Sequence, residues 1–261
     1  MTISRHSSGM KALPPIQSLW IGGALSTIEQ LSLTSFVKNG HPVHLYAYEP
    51  VTNVPAGVEV KDGREILGAD RIFKYKKEGS YAGFSNIFRY KLLLDRGNFW
   101  CDLDVVCLRP FDFVDEYVFS GATSRTRLGL GATQLFIQSC VIKCPPDSDI
   151  MRYCYETASA KSPQDLVWGE IGPDLLQRAV HRFGHEPHVW RRRAFTILDW
   201  TKAWKFVSGS PIVAAQEHLK IRWYGSYGVH LYNEIWRQKG WDKNGTFAWV
   251  SLVEGLKRRY L

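Results

Sequence analysis

The stretch FSNIFRYKLLLDRGNFWCDLDVVCLRP, residues 84–110, runs from a helical pattern through a glycine stop into an apolar strand, and that strand carries two carboxylates. Ile87, Leu92, Leu93 and Leu94 supply an apolar helix face, and Gly97 closes a helix expected over residues 85–96. FWCDLDVVCL then reads as a strand with Asp102 and Asp104 separated only by Leu103. Residues i and i+2 of a strand project to one face, so the spacing predicts that both carboxylates point together while Leu103 enters the core. Strands are depleted in Asp, and a buried anion is costly unless paired. Two converging carboxylates attract a divalent cation, and oxygen donors favour Mg²⁺ or Mn²⁺ with positions left for substrate phosphates. A bare D-x-D triplet is more often an exposed acidic loop; here the apolar flanks on both sides favour a site.

Asn86 and Arg89, three residues apart, share a face of the preceding helix. An arginine there could neutralise a carboxylate or hold a substrate hydroxyl or phosphate, and its plain alternative is a solvated surface ion pair.

Outward from this block the chain alternates strands and helices. IQSLWIGG is a short apolar run stopped by two glycines, a strand followed by a loop where backbone can approach a ligand. STIEQLSLTSFVKNG reads as a helix capped by Ser26, with Glu29 completing a capping box and Gly40 ending it. PVHLYAYEP and QLFIQSCVIKC read as strands, DSDIMRYCYETASA and GPDLLQRAVHRFG as helices. This order predicts an α/β fold with a mostly parallel central sheet, in a single domain over residues 1–261. The stretch from about residue 185 onward is rich in Trp, Tyr and Gly, shows little secondary-structure signal, and is expected to wrap the domain. No internal repeat or low-complexity segment interrupts it.

Composition narrows the class. With 261 residues and 45% hydrophobic content the chain can fill a substantial core. The 33 basic and 25 acidic residues leave a charge of +8, which suits a nucleic acid, an anionic membrane or a phosphorylated ligand. The five cysteines form no C-x-x-C pair and sit mostly in apolar stretches, so buried free thiols are expected rather than a zinc site. The opening MTISRHSSGMKALPPIQ has no signal-peptide core, and no apolar run approaches a membrane span; a cytoplasmic protein is expected.

LWIGG, the 84–110 block, IGP at residues 171–173 and HLYNEIW at residues 230–236 occur in the order found in the DXD-type sugar transferases of glycosyltransferase family 32, which this chain resembles over residues 16–236. The resemblance implies a GT-A fold, a nucleotide-sugar donor, Mn²⁺ or Mg²⁺ as cofactor, and retention of anomeric configuration. It implies that Trp20 stacks on the base, usually uracil, with Ile21, Gly22 and Gly23 forming the adjoining loop. Arg89 matches the helix arginine near the donor sugar. Asn86 departs from the aspartate usual at its position, which leaves the donor sugar open between a UDP-hexose and a UDP-N-acetylhexosamine. Asp102 resembles the residue that reaches the ribose and metal-bound water, and Asp104 the direct metal ligand. His230 and Asn233 fall on the metal-diphosphate side, with His230 a third metal ligand, and Trp236 on a lid over the leaving group. Glu170 and Asp174, beside the glycine-proline match, are acceptor or sugar contacts, or acidic residues suited to a helix start.

The expected partners are therefore a UDP-sugar and a glycan, lipid-linked or protein acceptor, as in polysaccharide biosynthesis. The clusters at residues 191–193 (RRR) and 257–259 (KRR) suggest peripheral contact with an anionic membrane at the inner face. Two other classes are weaker. A nucleic-acid-binding protein would use the charge, but the remaining basic residues are dispersed and no nucleic-acid motif appears. A metal-dependent phosphoesterase would use the paired aspartates, but no supporting His and Asp cluster for a second metal is present.

Overall fold

The structure, a computed structural model, describes residues 12–125 and 133–261. Residues 1–11, most of the opening stretch read for a signal peptide, lie outside the described residues. Among the described residues no helix is long and apolar enough to cross a membrane.

β1 (Ile16–Trp20), β2 (Val43–Ala47) and β3 (Val58–Asp62) form one parallel wing, and β1 also pairs in parallel with β4 (Asn98–Cys101). β6 (Val118–Arg125), β7 (Thr133–Cys144) and β8 (Val189–Trp190) complete a seven-stranded sheet of order β3-β2-β1-β4-β7-β6-β8. β7 runs antiparallel to both neighbours, so the sheet is mixed but mostly parallel, as the alternation of elements predicts. A second sheet pairs β5 (Val105–Cys107) with β9 (Gly228–His230) and ties the C-terminal third to the centre of the chain.

The pleat divides the core. Trp100 and Ile142 pack with Phe84, Phe88 and Leu92 of α2 (Ala82–Arg96), and with α3 (Asp149–Ser159) and α4 (Pro173–Arg182), on one face. Their strand neighbours Phe99 and Val141 pack with Leu33 and Phe36 of α1 (Thr27–Lys38) on the other. α1 starts at the capping box of Ser26 and Glu29, and α2 stops at Gly97, whose φ of 59° is the left-handed region that glycine enters without penalty. All five cysteines are buried free thiols.

The last third is more regular than its sequence pattern suggests. It holds the 3₁₀ segment Trp200–Phe206 and three helices: α5 (Pro211–Tyr224), α6 (Asn233–Lys239) and α7 (Leu252–Tyr260). α7 packs against α1 and α5, while β8 and β9 each join a sheet.

Candidate metal centre

The chain leaves β1 to form β2 on one side and returns to place β4 on the other, so the sheet order reverses between β1 and β4. In open α/β sheets ligands bind beyond the carboxyl ends of the strands at this switch point. Trp20 ends β1, and Asp102 follows the last residue of β4. Ser18 locks the two ends together by donating its hydroxyl to the Cys101 carbonyl at 2.7 Å.

The strand expected through Asp102 and Asp104 stops at Cys101. Asp102, Leu103 and Asp104 form a turn between β4 and β5, closed by the Val105 N–H donating to the Asp102 carbonyl at 3.0 Å. The carboxylates converge through this turn rather than through the pleat, because both have partners off the strand line. Leu103 is buried, as the spacing predicts. Asp102 keeps the side of Trp100, whose indole N–H donates to Asp102 Oδ1 at 2.8 Å. Arg89 donates to the same oxygen at 2.9 Å and to the Ser139 carbonyl at 2.9 Å, with its guanidinium 4.8 Å from the Trp100 ring centroid. The buried arginine is thus bound to Asp102, the carboxylate-neutralising role that its place on the helix allows.

Asp104 is held from the C-terminal third. Its Oδ2 accepts the Asn233 backbone N–H at 2.6 Å, and its Oδ1 lies 3.2 Å from His230 Nε2. His230 projects from β9, in register with Val105, and its Nδ1 lies 3.3 Å from Gln138 Oε1. The next turn is strained. Tyr232 adopts a left-handed φ of 59°, which costs a non-glycine residue about 1–2 kcal/mol. Its ring sits against His230, centroids 4.2 Å apart, and its hydroxyl donates to the Leu198 carbonyl at 2.8 Å, which holds the turn in place.

Burial raises the Asp102 carboxyl above its usual range, with Arg89 opposing and Asp104 adding to the rise. Burial also works to raise Asp104, but His230 and the Asn233 N–H outweigh it and hold that carboxyl low. Burial opposes charge on His230, yet Asp104 drives the imidazole well above its ordinary value. The turn is therefore a concentrated anionic site that draws positive charge toward it.

Asp102, Asp104 and His230 each offer a ligand atom within 4.8 Å of the others, and no other such trio is found among the described residues. Asp104 Oδ1 is buried without a well-aligned hydrogen-bond donor. Two carboxylates and one imidazole, with a buried Asp104 oxygen that faces only that imidazole, fit a divalent cation of the Mn²⁺ or Mg²⁺ kind.

The remaining expected residues are distributed around this centre. Trp20 is half-buried, with Ile21 beside it and Gly23 exposed. Gly22 has a φ of 143°, and a Cβ there would meet the Trp20 indole nitrogen at 3.3 Å, so glycine suits the position on both counts. Asn86 is buried against the glycine of the IGP stretch: a Cβ on Gly172 would stand 2.8 Å from Asn86 Nδ2, and Tyr90 donates to the Gly172 carbonyl at 3.1 Å. Glu170 pairs with Lys161 at 2.9 Å, and Asp174 is exposed in the first turn of α4. Trp236 is fully buried, edge-on to Trp241 and Phe247, and donates its indole N–H to the Leu231 carbonyl.

Sequence reasoning took Glu29 only as a cap, and it missed Lys243 and Gln138. The Glu29 side chain is wholly buried and accepts from Lys243 Nζ and, at 3.0 Å, from Asn233 Nδ2. A glutamate at the third position of a helix following a Gly-Gly loop was the available signal. Lys243 also lies 5.9 Å from the Trp20 ring centroid, so it links the α1 start to the loop after β1.

Fold and site together define a mixed α/β protein with a candidate two-carboxylate, one-imidazole metal centre at the switch point of its sheet. Neither a protein-family model nor a curated protein matches the sequence. Among solved structures the chain is similar to the PaToxG glycosyltransferase, at 13% identity over 94% of this chain and 86% of that one, with a TM-score of 0.47. It is also similar to the glycosyltransferase GlyE of Streptococcus pneumoniae TIGR4, at 12% identity over 94% of this chain and 60% of that one, with a TM-score of 0.44. At such identities and TM-scores these likenesses carry none of the functional assignment, which rests on the site.

Proposed function

We propose that this chain is a metal-dependent retaining glycosyltransferase of the GT-A type, close to the family 32 enzymes, that moves a sugar from a UDP-hexose or UDP-N-acetylhexosamine to a glycan, glycolipid or protein acceptor. The observation that carries the reading is the convergence of Asp102, Asp104 and His230 at the carboxyl end of β4, beside the half-buried Trp20 at the end of β1. A flat aromatic next to a cation site suits a nucleoside diphosphate, whose base stacks and whose phosphates seek positive charge.

In this reading Asp104 and His230 hold the cation, which when bound supplies Lewis-acid neutralisation of the leaving diphosphate. His230 would have to be neutral to serve as a ligand, which would make metal affinity fall toward acid pH. Arg89 and Trp100 fix the Asp102 carboxylate so that its free oxygen faces the ribose side. Glu29 holds Asn233 and Lys243 near the diphosphate. Asn86, against Gly172, faces the sugar. No side chain is assigned as a covalent nucleophile, and the acceptor hydroxyl enters on the face that the diphosphate leaves.

The test is a panel of UDP-sugars hydrolysed with Mn²⁺, with Mg²⁺ and with chelator. Sugar release that requires the metal supports the reading; cleavage of simple phosphate esters without sugar preference would transfer the assignment to a phosphoesterase.

A further inference from the structure

α5 carries apolar residues on both sides, with Ala214 buried and Ile221 packed on the core. Its buried side carries the carboxylate of Glu217, bonded to Lys205 and to Lys220, while Ile212, Ala215, Leu219 and Trp223 recur every three or four residues along its exposed side. Ile212 is 71% exposed, Leu219 62% and Trp223 80%, values that single scattered apolar residues reach but a periodic stripe of a soluble helix does not need. Helical spacing places Lys220 on one flank of the stripe and Arg222 on the other. The 3₁₀ segment packed against α5 exposes two more indoles, Trp200 and Trp204.

Beside this helix lies a cavity of about 250 Å³ lined by Arg192, Arg193, Lys202, Lys205 and Lys220, against the acidic Asp199 and Glu217. Glu217 is engaged by Lys205 and Lys220, and Asp199 accepts from Thr201 N and Oγ1. Among the described residues no carboxylate pairs with Arg192, Arg193 or Lys202, so the cavity is cationic. Lys220 borders the stripe and lines the cavity, which makes them one surface.

We infer that this surface docks the protein on a bilayer of anionic phospholipid, the α5 stripe entering the interface and the Arg192, Arg193 and Lys202 cavity receiving a lipid phosphate. Exposed tryptophans between basic residues match the layered chemistry of a membrane interface, apolar within and anionic at the headgroups. A second copy across this face would set lysine and arginine against lysine and arginine, which disfavours self-association there. The cluster at residues 257–259, expected to share the role, is engaged locally: Lys257 with Glu254 and the Gly245 carbonyl, Arg258 with Trp249, and Arg259 with the Leu108 carbonyl.

Flotation of the full chain with vesicles of phosphatidylcholine alone, or of equimolar phosphatidylcholine and phosphatidylglycerol, tests this independently of catalysis. The anionic vesicles are expected to bind at least about tenfold tighter, and Leu219→Ser with Trp223→Ser to lose about tenfold or more with an unchanged circular dichroism spectrum. Arg192→Glu with Lys202→Glu should remove the preference for anionic lipid. Metal-dependent hydrolysis of a soluble UDP-sugar should be untouched by these changes. Equal partition onto both vesicle types, or parental binding by the serine variant, overturns the inference. So does a dimer in light scattering that the serine variant dissolves, which would give the stripe to a second copy.

Discussion

The backbone N–H of Asn233 donates to Asp104 Oδ2 at 2.6 Å across a sequence separation of 129 residues. This bond, with His230 at 3.2 Å on the other oxygen, makes Asp104 both a candidate ligand and a tie between the central turn and the C-terminal third. Asp104→Ala would therefore disturb folding, and Asp104→Asn is the cleaner change. It keeps the volume and the acceptor for Asn233 but removes the charge. Since disturbing the partners of ligands already costs 10–100-fold in metal affinity, losing the ligand charge should cost more than about 100-fold in Mn²⁺ binding. Calorimetric titration of Mn²⁺ into the folded variant checks this, and parental affinity would remove Asp104 from the site.

Trp20→Ala is expected to weaken binding of free UDP by about 1–3 kcal/mol, the range for one lost base-stacking partner. The half-buried indole packs partly on the core, so thermal stability is measured alongside. A stability loss without an affinity loss would make Trp20 a core residue.

The central block was the most legible part of the chain because its signals are local: a 3.6-residue apolar period, a glycine stop and an acidic pair in apolar surroundings. The turn at residues 102–104 was not, since a strand and a turn after a strand read alike until partners from elsewhere are known. Those partners are remote. His230 and Asn233 were found only through the resemblance, and nothing local marks Lys243 as the partner of Glu29. α5 failed for a different reason. Its apolar residues fall on both sides, Ala214 and Ile221 inward and Ile212, Leu219 and Trp223 outward, and its buried side also holds a glutamate, so the pattern carries no ordinary amphipathic contrast. The burial of Trp236 was not legible either, because a tryptophan beside a site reads the same whether it covers a ligand or fills the core behind it.

Glu29→Gln should act on the site from a distance. Gln can keep one acceptor for Asn233 but leaves the Lys243 ammonium without its carboxylate. A stability loss of about 1–3 kcal/mol is expected for a charged bond removed at a buried group. If Glu29 positions the diphosphate side, KM for the donor rises more than kcat falls, and a variant with lowered stability but parental KM would limit Glu29 to capping.

Glu217 gives the pH dependence. Burial works to raise its carboxyl, but the bonds from Lys205 and Lys220 outweigh this and hold it below the usual range. A carboxyl depressed in the folded state contributes stability that is present above its unfolded value and is lost as pH falls through the folded one. Glu217→Gln should therefore lower the thermal midpoint at neutral pH and flatten the acid side of the stability curve. Urea titrations from neutral pH down through the carboxylate range measure it; identical curves for parent and variant would show the ion pair to be without net effect.

Asn86 offers the test of sugar choice. It is buried in the first half of α2, one turn before the Arg89 that binds Asp102, and its amide lies against Gly172, where even a Cβ would come within 2.8 Å. Asparagine both donates and accepts, whereas aspartate only accepts, so Asn86 can serve a sugar substituent that offers an acceptor, such as an N-acetyl carbonyl. Asn86→Asp keeps the shape, removes the donor and adds a negative charge one helical turn before Arg89. Specificity is a difference in transition-state binding, and a buried polar group left without its partner makes that difference large. If Asn86 reads the sugar, the variant is expected to change the ranking of UDP-sugars by kcat/KM by at least about tenfold, with little change in affinity for UDP itself. Comparing UDP-glucose with UDP-N-acetylglucosamine on parent and variant measures the shift. An unchanged ranking would place the sugar-reading group outside α2 and leave Asn86 as a spacer for the Gly172 turn.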